Sequence, residues 1–199
     1  KPDGNFPTVT YPNPEDPKAF ELALKLATEK DADIVLATDP DADRIGMFVK
    51  NPTTGEYVLF NGNMAGLLIA EHILSSRKEK GILPENAAII KTIVSTNMTE
   101  EIAKYYNVKL DEVLTGVKNI AEKIREYEAN NSYECLYGFE ESYGCLIGTH
   151  ARDKDGIVAA MTLCEIAAVC KKKQITIYDM MMEMYKKYGF YKEGQVAIT

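Results

Sequence analysis

In this chain of 199 residues, the types and spacing of Asp39-Pro40-Asp41-Ala42-Asp43-Arg44 point most directly to chemistry. Three carboxylates alternate with small or rigid residues. In an extended backbone, residues i, i+2 and i+4 face the same side, and Pro40 removes a backbone donor and disfavours helix. The spacing predicts that Asp39, Asp41 and Asp43 converge on one point. Like charges so placed repel unless a cation sits among them. Carboxylate oxygens are hard ligands that suit Mg²⁺, Ca²⁺ or Mn²⁺, and Mg²⁺ keeps positions open for water or a substrate phosphate. The preceding Ala32–Thr38 stretch is short, apolar and β-branched, and it reads as a buried strand. The loop then lies at the carboxyl end of a strand, where open α/β sheets bind ligands. A solvated Asp/Pro turn is the plainer alternative. An EF-hand is excluded, because its sixth and twelfth positions require Gly and Glu and here hold Arg44 and Lys50. A phosphatase with an aspartyl nucleophile after a strand remains an alternative enzyme class.

Three further loops carry candidate groups. In Thr115-Gly116-Val117-Lys118-Asn119, Gly116 permits a tight strand-to-helix turn. Lys118 is a candidate for facing a phosphate or carrying a proton, with a solvated lysine as the alternative. In Gly138-Phe139-Glu140-Glu141-Ser142-Tyr143-Gly144, two glycines bracket two acids and a hydroxyl. Such groups hydrogen-bond sugar hydroxyls, and glycines let backbone approach a ligand; a polar turn is the alternative. In Arg152-Asp153-Lys154-Asp155-Gly156, Asp155 can cap a helix. Arg152 can clamp a phosphate or form a surface ion pair. His72 falls in a helical pattern and reads as structural, while His150 is a weaker site candidate.

The elements that must position these loops follow from periodicity. Residues 1–14 read as irregular. Asn13-Pro14 or Asp16-Pro17 starts a helix that runs to about Lys30. After the strand and the Asp loop, Ile45–Val49 and Tyr57–Phe60 flank a six-residue turn and form a hairpin. Asn61 or Asn63 caps a helix ending near Gly81 and Pro84. A strand over Ala87–Val94 comes next, then a helix capped by Ser95 or Thr96 and running to about Tyr106. A weaker strand within Val108–Thr115 leads to a helix over about Asn119–Ala129. Last come a strand over Tyr133–Tyr137 and helices over about Gly156–Lys172 and Tyr178–Tyr188. This alternation predicts an α/β fold: a three-layer α/β/α unit with a mixed, largely parallel sheet, preceded by part of a second α/β domain. The expected division is residues 1–60 as the C-terminal part of a metal-binding domain, 61–188 as a sugar-binding α/β domain, and 189–199 as a linker toward a further domain. A first part this short is a piece of a domain, and the opening Lys1-Pro2-Asp3-Gly4 reads as the middle of a longer chain.

Composition bounds the class. Hydrophobic content of 46% and charged content of 27% mark an ordinary globular protein. A net charge of −7 with no basic stripe argues against a nucleic-acid partner. The longest near-apolar run, Ile157–Cys170, is interrupted by Glu165 and is too short to span a bilayer. Cys135, Cys145, Cys164 and Cys170 show no C-x-x-C spacing, so reduced thiols in a cytoplasmic protein are expected.

Taken in order, the four loops resemble those of the α-D-phosphohexomutases, the phosphoglucomutase/phosphomannomutase family, and fit its phosphoglucomutase branch best. Asp39–Arg44 resembles the family's metal loop and Gly138–Gly144 its sugar-recognition loop, with Glu140 and Ser142 at the positions that grip sugar hydroxyls. Thr115–Asn119 and Arg152–Gly156 resemble segments near the sugar, and Pro2–Pro7 and Pro12–Glu15 match the run upstream of the metal loop. The resemblance implies a phosphoserine that donates its phosphoryl group to a hexose phosphate, passing through the 1,6-bisphosphate, with Mg²⁺ neutralising charge on the transferring group. It implies Mg²⁺ at Asp39, Asp41 and Asp43, a phosphoserine steadied by Arg44, and Lys118 as proton carrier. It also implies a sugar phosphate bound at Gly116, Glu140, Ser142 and Arg152. The family's serine lies in a Ser-His-Asn-Pro context, yet none of Ser75, Ser76, Ser95, Ser132 or Ser142 is followed by His. The expectation is therefore a mutase segment that contacts other domains of its parent chain and is inactive alone. A stand-alone metal- and sugar-phosphate-binding module is the alternative.

Overall fold

A computed structural model describes residues 3–194, so Pro2 of the upstream match and the end of the 189–199 segment lie outside the described residues. Asp16 caps a 3₁₀ turn over Pro17–Phe20, its side chain accepting from the Lys18 amide, and Pro17 supplies a preset φ at the first position. Helix α1 (Glu21–Lys30) ends on Asp31 in the left-handed conformation. Strands β1 (Ile34–Thr38), β2 (Ile45–Lys50) and β3 (Tyr57–Phe60) form an antiparallel sheet in that order. β2 is central and covered on both faces. Its Ile45, Met47 and Val49 enter the main core, while Phe48 packs with Phe20, Ala27 and Val35 under α1. The strand preceding the Asp loop is less buried than its composition suggests. Only Val35 of β1 is buried, and Thr38 is exposed, because β1 lies at the edge of this sheet.

Asn61 caps α2 (Gly62–Glu79) by accepting from the Met64 amide. The second sheet has the order β5-β4-β6-β7. β4 (Ala87–Thr92) pairs in parallel with β5 (Lys109–Val113) and β6 (Glu134–Phe139), and β6 pairs antiparallel with β7 (Cys145–Ile147). Helix α4 (Val117–Asn130) covers one face through Ile120, Ile124 and Tyr127 on Ala88 and Ile90. Helices α2, α3 (Met98–Tyr106), α5 (Gly156–Lys172) and α6 (Ile177–Tyr188) share the core on the other face. The result is a three-layer α/β/α unit with a mixed, largely parallel sheet. The face of β2 joins that same core through Ile45, Met47 and Val49.

Several boundaries differ from the sequence expectation. β4 ends at Thr92, leaving Ile93 and Val94 exposed beyond it. β7 had no signal of its own, being three residues long and directly after a polar loop. Gly138 and Phe139 belong to β6, so the third loop starts at Glu140. Helix α3 starts at Met98, whose amide reaches the Thr96 hydroxyl at 3.2 Å. The last helix opens on a capping box between Thr176 and Asp179, which periodicity had not revealed.

Candidate active site and metal centre

Asp39–Arg44 connects β1 to its antiparallel neighbour β2. The carboxylates do converge, but through a turn and not through an extended run. Ala42 has φ +57°, and its amide donates to the Asp39 carbonyl at 3.0 Å. Asp39 Oδ1 accepts the amides of Asp43 at 3.2 Å and Arg44 at 3.1 Å, so the buried carboxylate wraps the backbone around itself. One carboxylate oxygen from each of Asp39, Asp41 and Asp43 lies within 4.8 Å of the others. Arg44 Nε donates to Asp39 Oδ2 at 2.7 Å, and Nη1 lies 3.4 Å from Glu15. Burial opposes the Asp39 charge, yet Arg44, through both its guanidinium and its amide, holds its carboxyl below the ordinary range. Three convergent hard oxygens fit Mg²⁺ and not a soft-ligand metal.

The loop after β6 closes when the Glu140 amide donates to the Gly144 carbonyl at 2.9 Å. Glu140 Oε1 accepts the Gly116 amide at 2.8 Å, which joins the second loop to the third. Burial raises the Glu140 carboxyl above its ordinary value, opposed by that amide and by Lys154. Glu141 Oε2 accepts from Thr92 Oγ1 at 2.9 Å, and Thr92 pairs with Ser95 at 2.8 Å. The end of β4 therefore braces the third loop. Ser142 Oγ reaches Glu141 at 3.4 Å. Gly116 has φ +115°, a conformation that favours glycine, and Asn119 Nδ2 secures the turn by donating to Leu114 O and Thr115 O.

The metal loop, the third loop and the fourth pack together. Arg44 and Gly144 form an antiparallel bridge, and the Gly156 amide donates to the Ala42 carbonyl at 3.0 Å. Lys154 Nζ lies 2.6 Å from Asp43 Oδ2. Burial opposes the Lys154 charge, but Asp43 and Glu140 hold its amine above the ordinary range. A Cβ at Gly144 would come within 2.5 Å of Lys154 Cδ and 3.1 Å of Glu140 Oε2, so glycine opens the space through which both side chains reach. Asp155 caps α5, accepting from Ile157 and Val158 at 2.9 and 3.0 Å.

The structure thus gathers Asp39, Asp41, Asp43 and Arg44 at one loop and links Gly116 directly to Glu140, with Ser142 beside Glu141. Lys118 is exposed on the first turn of α4 and lines a groove with Arg125 and Arg152. Arg152 is spent on an ion pair with Glu128, in keeping with its surface-pair alternative. His150 Nε2 meets Asp155 at 3.1 Å, and His72 is buried 3.5 Å from Glu165. Sequence reasoning overlooked four participants: Glu15, Thr92, Lys154 and Lys91. Lys91 is fully buried at the end of β4, with Nζ 2.6 Å from Glu112 and bonded to Ser95 O and Asn97 Oδ1. Glu15 and Lys154 both lie inside stretches that had drawn notice, but their partners are distant in sequence. A lysine inside an otherwise apolar strand was the available signal for Lys91.

Comparison with known proteins places these features in context. The family model described as phosphoglucomutase/phosphomannomutase, alpha/beta/alpha domain III, matches residues 61–188, and the domain II model matches residues 1–55. A phosphoglucomutase of Staphylococcus saprophyticus is 37% identical over the whole chain, and one of Staphylococcus aureus strain N315 is 36% identical. In both, this chain spans 35% of the relative's length. Among solved structures, a phosphoglucomutase/phosphomannomutase family protein of Burkholderia thailandensis aligns over 92% of this chain and 35% of its own, with TM-score 0.70 and 22% identity. An Aspergillus fumigatus N-acetylphosphoglucosamine mutase, solved with GlcNAc-6P and magnesium, aligns over 83% of this chain and 36% of its own, with TM-score 0.54 and 17% identity. At these identities the structural matches speak to the fold.

Proposed function

The chain belongs to the phosphoglucomutase/phosphomannomutase family, and from that membership we propose that it is the metal- and sugar-binding portion of a mutase interconverting hexose 1-phosphate and hexose 6-phosphate. In this reading residues 1–60 are the C-terminal part of the metal-binding domain, 61–188 the sugar-binding domain, and 189–199 a link to a further domain of the same parent. A cytoplasmic parent is part of this reading. Among the described residues no helix is long and apolar enough to cross a membrane. Its ligands are a hexose phosphate and the 1,6-bisphosphate. Support for a sugar-phosphate ligand comes from the Aspergillus fumigatus mutase, which was solved in complex with GlcNAc-6P and magnesium.

The observation that carries the proposal is the docking of the three-carboxylate loop onto the Glu140–Gly144 loop through the Arg44–Gly144 bridge. Asp39, Asp41 and Asp43 would hold Mg²⁺, which when bound supplies positive charge to a transferring phosphoryl group. Arg44 orients Asp39 through Nε. Its Nη2 makes no hydrogen bond among the described residues and is free to steady the parent's phosphoserine. Glu140 and Ser142 receive ring hydroxyls, Gly116 brings its backbone close to the sugar, and Lys118, unpaired among the described residues, is the proton carrier. Arg152 reaches a phosphate once it leaves Glu128. An aspartyl-phosphatase reading is less well served, since Asp39 has both oxygens engaged by Arg44 and the loop amides. Calorimetric titration with Mg²⁺ tests the metal assignment: Asp41→Asn should bind at least tenfold more weakly, one of three charged ligands being lost. Equal affinities would remove Asp41 from the site.

A further inference from the structure

Two of the three carboxylates, Asp39 and Asp43, are paired within the protein with side-chain cations of different character. Arg44 is tied to Asp39 by Nε and follows directly from the same loop. Lys154 comes from the segment before α5 and reaches Asp43 alone, at 2.6 Å. Its stem crosses Gly144, and its ammonium acts on Glu140 as well as on Asp43. No hydrogen bond other than that to Asp43 holds its Nζ among the described residues. Lys154 therefore engages Asp43 Oδ2 from the end of a flexible four-carbon stem. An ammonium and a divalent cation compete for the same carboxylate charge.

We propose that Lys154 is a displaceable counter-cation and a positioning residue. It neutralises Asp43 in the metal-free chain, and a divalent cation at Asp39, Asp41 and Asp43 releases it toward Glu140. The inference rests on the metal reading above and adds a physical link from the metal loop to the third loop. Occupancy of the first would change the charge next to the carboxylate of the second. Gly144 leaves the path of the Lys154 stem open, since a Cβ there would lie 2.5 Å from Lys154 Cδ and would force the stem to shift.

The test is a Mg²⁺ titration of the chain and its Lys154→Met variant, in which Met keeps an unbranched stem along Gly144 without the charge. Lys154→Met should bind Mg²⁺ about tenfold more tightly, and the ratio should persist in 0.5 M KCl, because a direct contact is screened far less than a long-range field. In the unaltered chain, the ε-methylene NMR signal of Lys154 should shift with the same midpoint as the calorimetric isotherm. This second measurement is read on the unaltered chain, and the charge-conserving Lys154→Arg spectrum, in which that signal is missing, identifies it. Equal or weaker binding by Lys154→Met, a ratio that vanishes in salt, or an unmoved methylene signal would each overturn the proposal while leaving the metal site in place. Absence of Mg²⁺ binding by both proteins would overturn the metal reading, and this proposal with it.

Discussion

Glu140 is only 9% exposed, and burial lifts its carboxyl above the ordinary glutamate range of about 4.5. For an acid raised in the folded state, the unfolded chain loses its proton first as pH rises. Stability therefore falls as pH climbs from the unfolded value through the raised folded one, and the deficit persists above it. Gln at this position keeps an oxygen for the Gly116 amide and removes the charge. Glu140→Gln should accordingly raise the thermal midpoint at pH 7 while matching the unaltered chain below about pH 4. In the full parent mutase the same change should lower kcat/KM by about tenfold, since losing a partner for a bound hydroxyl costs ~1–3 kcal/mol. A gain in stability with a loss in kcat/KM marks a residue held for its ligand. If kcat/KM is unchanged, the loop is only a polar turn.

At the scale of elements, helix α5 decides how the fourth loop meets the metal loop. Its N-terminus is held by Asp155, and Gly156 at its first position packs with a would-be Cβ 2.7 Å from the Ala42 carbonyl. The amides of Val158 and Ile157, together with His150, hold the Asp155 carboxyl below its ordinary value despite some opposing burial. A depressed acid contributes stability that is present above the unfolded value of about 3.8 and is lost as pH falls through the lower folded one. Asp155→Ala should cost ~1 kcal/mol in urea unfolding at pH 7. The difference should shrink as pH drops below 4. A constant difference across that window would assign the loss to packing and not to the charged cap.

For the whole molecule, the two sheets do not stand apart. Met47 and Phe60 from the first share a core with Leu68, Ile89 and Leu163 of the second unit, so the hydrophobic effect fixes the two loops on a common base. That base positions the proposed metal site and the proposed sugar loop, but on this reading turnover also requires a phosphoryl carrier and a grip on the distal phosphate. None of Ser75, Ser76, Ser95, Ser132 or Ser142 precedes a histidine, and the chain spans 35% of the mutases it resembles. We expect residues 1–199 alone not to convert glucose 1-phosphate to glucose 6-phosphate in a coupled assay with the 1,6-bisphosphate and Mg²⁺. Catalysis acts on charge that develops in the transition state, and without the carrier that charge never forms. Turnover that survives repurification and disappears in Asp41→Asn would show that the chain holds a carrier of its own.

Local order was enough to specify a good deal. The alternation of Asp39, Asp41 and Asp43 announced a hard-ligand cluster, and the βα rhythm from Ala87 onward announced a layered α/β unit. Asn61, Asp155 and Gly189 marked helix ends, because caps and periodicity act over a few residues. What local order did not contain was partnership at long range. The extended-strand argument brought the three carboxylates together for the wrong geometric reason; buried Asp39 accepts two downstream amides and bends the loop instead. A run such as Ala32–Thr38 has the same composition at the edge of a sheet as at its centre, and only the pairing order exposes it. β7 exists because β6 offers it an edge, not because Cys145–Ile147 favours a strand. Lys154 is one lysine among many until the fold brings it across Gly144 to Asp43, from 111 positions away in the chain. Residue types and spacing determined which chemistry was available. Burial and long-range packing, which no short stretch encodes, decided which charge faces which.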